Sequence, residues 1–143
     1  MFITNKDLIE VKIYYKQDGY KFLALTQEGV NKRVKERKLT EDQIKDDFKV
    51  LTVNMAILSW GMYNELQTNS TQMNAQGEKY FNYQIYKEDR LKKLIKSWDA
   101  ADAQGKPVPV NETTIMSIAP TIGDAIVKGY DEASFYDEDA EKK

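Results

Sequence analysis

Apolar positions recur along this chain with two different periods, and the periods divide it into elements. Between Thr40 and Leu66, the residues Ile44, Phe48, Leu51, Met55, Leu58, Met62 and Leu66 follow one another at intervals of three and four. That spacing keeps them on one stripe of a helix turning once every ~3.6 residues, and it predicts a long central helix over 41–66. Thr40 with Gln43 three residues on forms a capping box, and Glu41 and Asp42 face the positive helix end. Val53, Ile57 and Trp60 add a second apolar side, so the helix is expected to be covered from two directions.

Upstream the period changes to two. Ile9, Val11 and Ile13 alternate with Glu10 and Lys12, and Tyr20, Phe22 and Leu23 to Leu25 resume after Asp18-Gly19. An Asp-Gly pair between two such runs predicts a β-hairpin over 8–26, because both residues tolerate positive φ. A lone hairpin is marginal, so it is expected to dock on the helices or to offer an edge for strand addition. Residues 27–39 concentrate Lys32, Arg33, Lys35, Arg37 and Lys38 without interleaved aromatics, which favours a solvated helix face over a phosphate-binding patch. Residues 67–79 are polar and predict an exposed loop.

Further on, Leu91, Leu94, Ile95 and Trp98 predict a helix over 87–98, with a small basic excess from Lys87, Arg90, Lys92, Lys93 and Lys96. Just before it, Tyr80, Phe81, Tyr83 and Tyr86 place four aromatic rings within seven residues. Such clusters are enriched in protein interfaces, and these four are the candidate partner-binding residues. Their alternative is to cap the core between hairpin and helices. Gly105, Pro107 and Pro109 make 99–110 a turn-rich link, and the spacing of Asp99 and Asp102 does not suit a calcium loop. Asn111 caps a short helix over 111–118, and Pro120 opens a last one over 120–133. Residues 135–143 are expected to form an acidic tail.

The expected fold is therefore α+β and mostly helical: one compact domain over 1–134, with the hairpin packed on the central helix and a small helical bundle. A chain of 143 residues, 41% hydrophobic and 31% charged, suits a single core. Its net charge of −2 gives no field that favours nucleic acid. Neither His nor Cys occurs, which excludes thiolate zinc sites, disulfides and every Ser-His or Cys-His arrangement. No glycine-rich phosphate loop or spaced carboxylate cluster is present either. The expectation is a non-enzymatic protein with no catalytic, cofactor or metal residues. No apolar run approaches the ~20 residues that span a bilayer, and MFITNKDLIE lacks the pattern of a signal peptide, so export and membrane partners are not expected.

Trp98-Asp99, the run Gly105-Lys106-Pro107-Val108-Pro109-Val110-Asn111, and then Ile115, Ile118, Pro120, Ile122 and Ile126 together resemble small morphogenesis proteins of long-tailed bacteriophages, particularly tail-assembly chaperones. The resemblance covers about residues 91–132, under a third of the 143. It implies a protein that binds a long tail-length-determining partner and keeps it soluble before tail-tube polymerisation. Phage structural or tail proteins are then the expected partners; oligomeric state stays open, since the double-faced central helix could meet the rest of its own chain or a second copy. The host cytoplasm during assembly, or the virion itself, is the expected location. The alternative is a small acidic regulatory binder that inhibits a host or phage enzyme, with the acidic tail imitating a phosphate backbone.

Overall fold

In the computed structural model, which describes residues 1–135, the N-terminal alternation becomes β1 (Leu8–Asp18) and β2 (Lys21–Thr26). Asp18 pairs with Lys21, so the loop residues are Gly19 and Tyr20, one position later than the Asp-Gly signal suggested. Gly19 has φ of 61° and Tyr20 is not in the left-handed region, the φ pattern of a II′ turn with glycine first. Val11 and Ile13 point to one face and are buried, while Glu10 and Lys12 are exposed on the other.

The single helix over 41–66 is not what forms. The stretch divides into α2 (Glu41–Asp47), β3 (Lys49–Ala56) and α3 (Trp60–Ser70), following α1 (Gln27–Lys35). The expected capping box is present at the start of α2: Thr40 Oγ1 accepts from the Gln43 N–H at 3.1 Å, and Gln43 Oε1 accepts from the Thr40 N–H at 2.9 Å. Phe48, with φ −109° and ψ 143°, then turns the chain into a strand. Leu51, Val53 and Met55 satisfy a helical stripe in part but also alternate with period two, and β1 offers a complete partner. Ile13 pairs with Leu51, Val11 with Val53 and Ile9 with Met55. β-branched Val50, Thr52 and Val53 fit that pleated surface. Ser59 then caps α3, its Oγ accepting from the Met62 N–H at 3.2 Å.

Two further boundaries differ for the same reason. The polar connector is not a loop throughout. α3 runs to Ser70, and a second hairpin follows, β4 (Thr71–Met73) with β5 (Lys79–Phe81). The helix expected over 87–98 is α4 (Tyr83–Leu94), capped by Asn82, whose Oδ1 accepts from the Gln84 and Ile85 N–H groups. Ile95–Trp98 leave the helix and become β6, adding to β3. At the C-terminal side lie α5 (Glu112–Met116), capped by Asn111, and α6 (Pro120–Ser134). The expected acidic tail lies outside the described residues, apart from Phe135.

The fold is α+β, but its centre is a four-stranded antiparallel sheet in the order β2-β1-β3-β6, not a helix bundle. The hairpin rests on α6, which crosses β1 and β2. Val11, Ile13, Val53 and Met55 from the sheet meet Leu94, Ile126 and Tyr130 in the main core. Gly129 sets how close helix and sheet come: a Cβ there would stand 2.8 Å from Val11 Cγ1. On the other sheet face α1 and α2 build a smaller core from Leu25, Val30 and Phe48. Trp60, expected on a core stripe, is 81% exposed.

Candidate protein-binding surface

α3 and α4 pack side by side and carry the β4–β5 hairpin at one end. The four candidate aromatic residues all lie here, but in different roles. Tyr86 is buried in the first turns of α4, and its ring is the floor of the cluster. Phe81 leans on it with ring centroids 5.2 Å apart and tilted by 58°. Tyr83 stacks at 6.3 Å and 28°. Both geometries are favourable for aromatic pairs. Phe81 and Tyr83 remain 43% and 51% exposed, so the cluster presents two half-open rings on a buried third.

Tyr80 belongs elsewhere. Alternation along β5 turns it to the face opposite Phe81, where its hydroxyl donates to Gln72 Oε1 at 3.0 Å. Met73, opposite Lys79, lies on the same face of the hairpin as Phe81 and is 61% exposed. Trp60 and Tyr63, three residues apart on one side of α3, are exposed as well. The sequence pattern placed Trp60 on the second apolar side of a central helix that does not form, and Tyr63 lay on neither side of that helix.

Beneath the rings the support is stiff. The Arg90 guanidinium sits 5.2 Å from the ring centroids of both Tyr86 and Tyr130, between the two. It is 3% exposed and ion-pairs with Asp131, while its Nε has no hydrogen-bond partner among the described residues. Tyr130 continues the stack to the sheet. Its hydroxyl donates to the Ala56 carbonyl at 3.1 Å and accepts from the Leu58 N–H at 2.9 Å, where β3 ends. Burial raises the pKa of Tyr86 and of Tyr130, opposed in each case by the positive charge of Arg90. A column from Phe81 through Tyr86, Arg90 and Tyr130 thus holds the surface in one arrangement.

The basic excess of α4 is largely spent inside the fold. Lys87 pairs with Asp124 at 2.8 Å and stands 5.4 Å over the Tyr83 ring. Lys92 pairs with Glu88, and Lys93 with Glu65. What remains is an apolar, aromatic surface rimmed by compensated charges, the usual composition of an interface centre.

Of the residues that carry the phage resemblance, those from Trp98 to Val108 form a clasp where β6 ends, while Ile115, Ile122 and Ile126 lie in the main core. Trp98 Nε1 donates to the Val108 carbonyl at 2.7 Å, and Asp99 Oδ1 accepts from the Thr52 N–H at 2.8 Å. Asp102 Oδ1 accepts from the N–H groups of Gln104 and Lys106, with Gly105 at φ 79° between them. The pattern serves to fold the edge of the sheet. Beside it lies an open cleft of about 480 Å³, whose lining includes Tyr15, Phe22, Lys49, Leu51 and Ile118 together with both aspartates. One oxygen of each carboxylate, Oδ1, accepts from backbone N–H groups of the clasp and of β3. Among the described residues no group of three or more carboxylates is placed to hold a metal ion, and no helix is long and apolar enough to cross a membrane. No protein-family model, curated protein or solved structure matches the chain.

Proposed function

We propose that this chain is a non-enzymatic binding protein whose contact surface is centred on Phe81 and Tyr83, and that it serves the assembly of a bacteriophage tail or virion as a chaperone or minor structural component. The observation that carries the binding reading is the pair of half-exposed rings fixed on a buried Tyr86–Arg90–Tyr130 column. Rings held in place before contact lose little freedom on binding, so most of their burial appears as affinity. The phage reading rests on the resemblance of residues 91–132, and the two parts are separable by experiment.

The test is affinity capture of tagged protein from the cells that naturally make it, read by mass spectrometry, alongside a Phe81→Ser/Tyr83→Ser variant. The expected result is a phage tail or head protein bound by the wild type and weakened ~30-fold or more in the variant, as for an interface centre. Equal capture by both proteins would remove the aromatic surface from the proposal. Capture of an enzyme, with loss of its activity, would replace the assembly role by inhibition.

A further inference from the structure

The two edges of the main sheet are treated differently. β6 is four residues long, is bulged against β3 between Asn54 and Met55, and runs into the clasp of residues 99–108. Short length, a bulge and a covering loop are the usual ways of closing an edge to further pairing. Among the described residues β2 (Lys21–Thr26) has none of these devices. Its register against β1 is regular throughout, it contains no proline, and from Phe22 to Thr26 it carries no charge.

The hydrogen bonding of β2 follows from its turn. A two-residue loop makes Asp18 and Lys21 the closing hydrogen-bonded pair, so the ladder to β1 uses Lys21, Leu23 and Leu25. The N–H and C=O groups of Phe22 and Ala24 therefore point away from β1. Among the described residues no backbone hydrogen bond outside the β1–β2 ladder reaches them. Leu23 between them is 41% exposed. Lys16, its neighbour on β1, is drawn off over the Phe48 ring at 5.2 Å.

We infer that β2 is a self-association edge, which joins two copies of this chain through antiparallel β2–β2 pairing into one eight-stranded sheet. The edge is complementary to itself in one register. With Leu23 opposite Leu23 of the second copy, Phe22 stands opposite Ala24 and Ala24 opposite Phe22. The outward groups of both residues then form four N–H···O=C bonds across the two-fold axis. On one face the two Leu23 side chains meet at a close, non-hydrogen-bonded position, and on the other each phenyl ring covers an alanine methyl. Lys21 falls opposite Leu25, so no like charges are brought together. Pairing of one patch with itself closes the assembly at two copies.

The experiment is sedimentation velocity on the full 143-residue chain, over micromolar to millimolar concentration, combined with hydrogen exchange of the wild type. The expected result is a monomer–dimer equilibrium in which the Phe22 and Ala24 amides gain protection as concentration rises. Ala24→Pro removes an outward N–H and none of the β1–β2 ladder, and proline is tolerated at such an edge position. It should raise the dimer dissociation constant ~100-fold or more while leaving the circular dichroism spectrum unchanged. Leu23→Lys, a side-chain change, should do the same by placing two charges together at the axis. A monomer at millimolar concentration would overturn the inference. So would a dimer whose Phe22 and Ala24 amides stay unprotected, or one that is lost in Phe81→Ser/Tyr83→Ser and kept in Ala24→Pro.

Discussion

Replacing Tyr130 with Phe removes one oxygen from the centre of the molecule and leaves the ring that stacks on Arg90 in place. That oxygen makes two bonds, donating to the Ala56 carbonyl and accepting from the Leu58 N–H, and Tyr130 itself is 1% exposed. Each bond contributes about 1 kcal/mol net, and a backbone group left without a partner in a covered site costs about 1–3 kcal/mol. Ala56 is 6% exposed, so its carbonyl has little access to water, whereas Leu58 is only part-buried and recovers some of the loss. The sum is a destabilisation of about 2–3 kcal/mol, or about 6–12 °C in melting temperature for a domain of this size. Urea and thermal unfolding followed by circular dichroism at pH 7 would measure it. The same variant has a second signature. Burial raises the folded-state pKa of Tyr130, so its contribution is fully present below the unfolded phenol value near 10 and is lost as pH rises from there through the folded pKa. Wild-type stability should therefore fall above pH ~10, and Tyr130→Phe should fall less steeply, with Tyr86 still contributing. A loss under ~0.5 kcal/mol at pH 7, with the alkaline slope unchanged, would refute the bridging role of the hydroxyl.

The two tryptophans should respond in opposite ways. Trp60→Ala is expected to change stability by less than ~0.5 kcal/mol, because the side chain is largely in water, and a large loss would mean that α3 is seated differently. Trp98→Ala should cost about 3 kcal/mol, since the indole packs on the core and its N–H holds Val108. Gly129→Ala gains helix propensity but forces a methyl against Val11 Cγ1, and should destabilise by about 1 kcal/mol or more. Combined with Val11→Ala, it should cost less than the two changes added, which a double-mutant cycle of urea midpoints would show.

Where local chemistry alone decides a feature, the residues announce it. The capping box of Thr40 and Gln43, the Asn111 cap, Pro120 at the first turn of α6 and the alternation of β1 depend on neighbours a few positions away. The aromatic cluster was also visible, because Phe81, Tyr83 and Tyr86 come together through one strand end and one helical turn. Its membership was not. Tyr80 departs because a β-strand sends successive side chains to opposite faces, and Met73 shares the face of Phe81 through pairing with a strand the polar connector did not suggest.

What the tertiary structure decided is the state of segments whose pattern fits both periods. Leu51, Met55 and Leu58 lie on a helical stripe, while Leu51, Val53 and Met55 lie on a strand face. The choice between them belongs to β1, whose Ile9, Val11 and Ile13 pair with that face residue by residue. Ile95 and Trp98 likewise join the sheet because β3 has an open side when α4 ends. Hydrogen bonds between segments some 40 positions apart, and the burial that comes with them, outweigh a local preference of a few tenths of a kcal/mol per residue. The sequence by itself determined the caps at Thr40 and Asn111, the first hairpin, the last helix and the presence of aromatic residues suited to contact. The sheet at the centre, the column under Tyr86 and the open edge of β2 exist only once the strands have met.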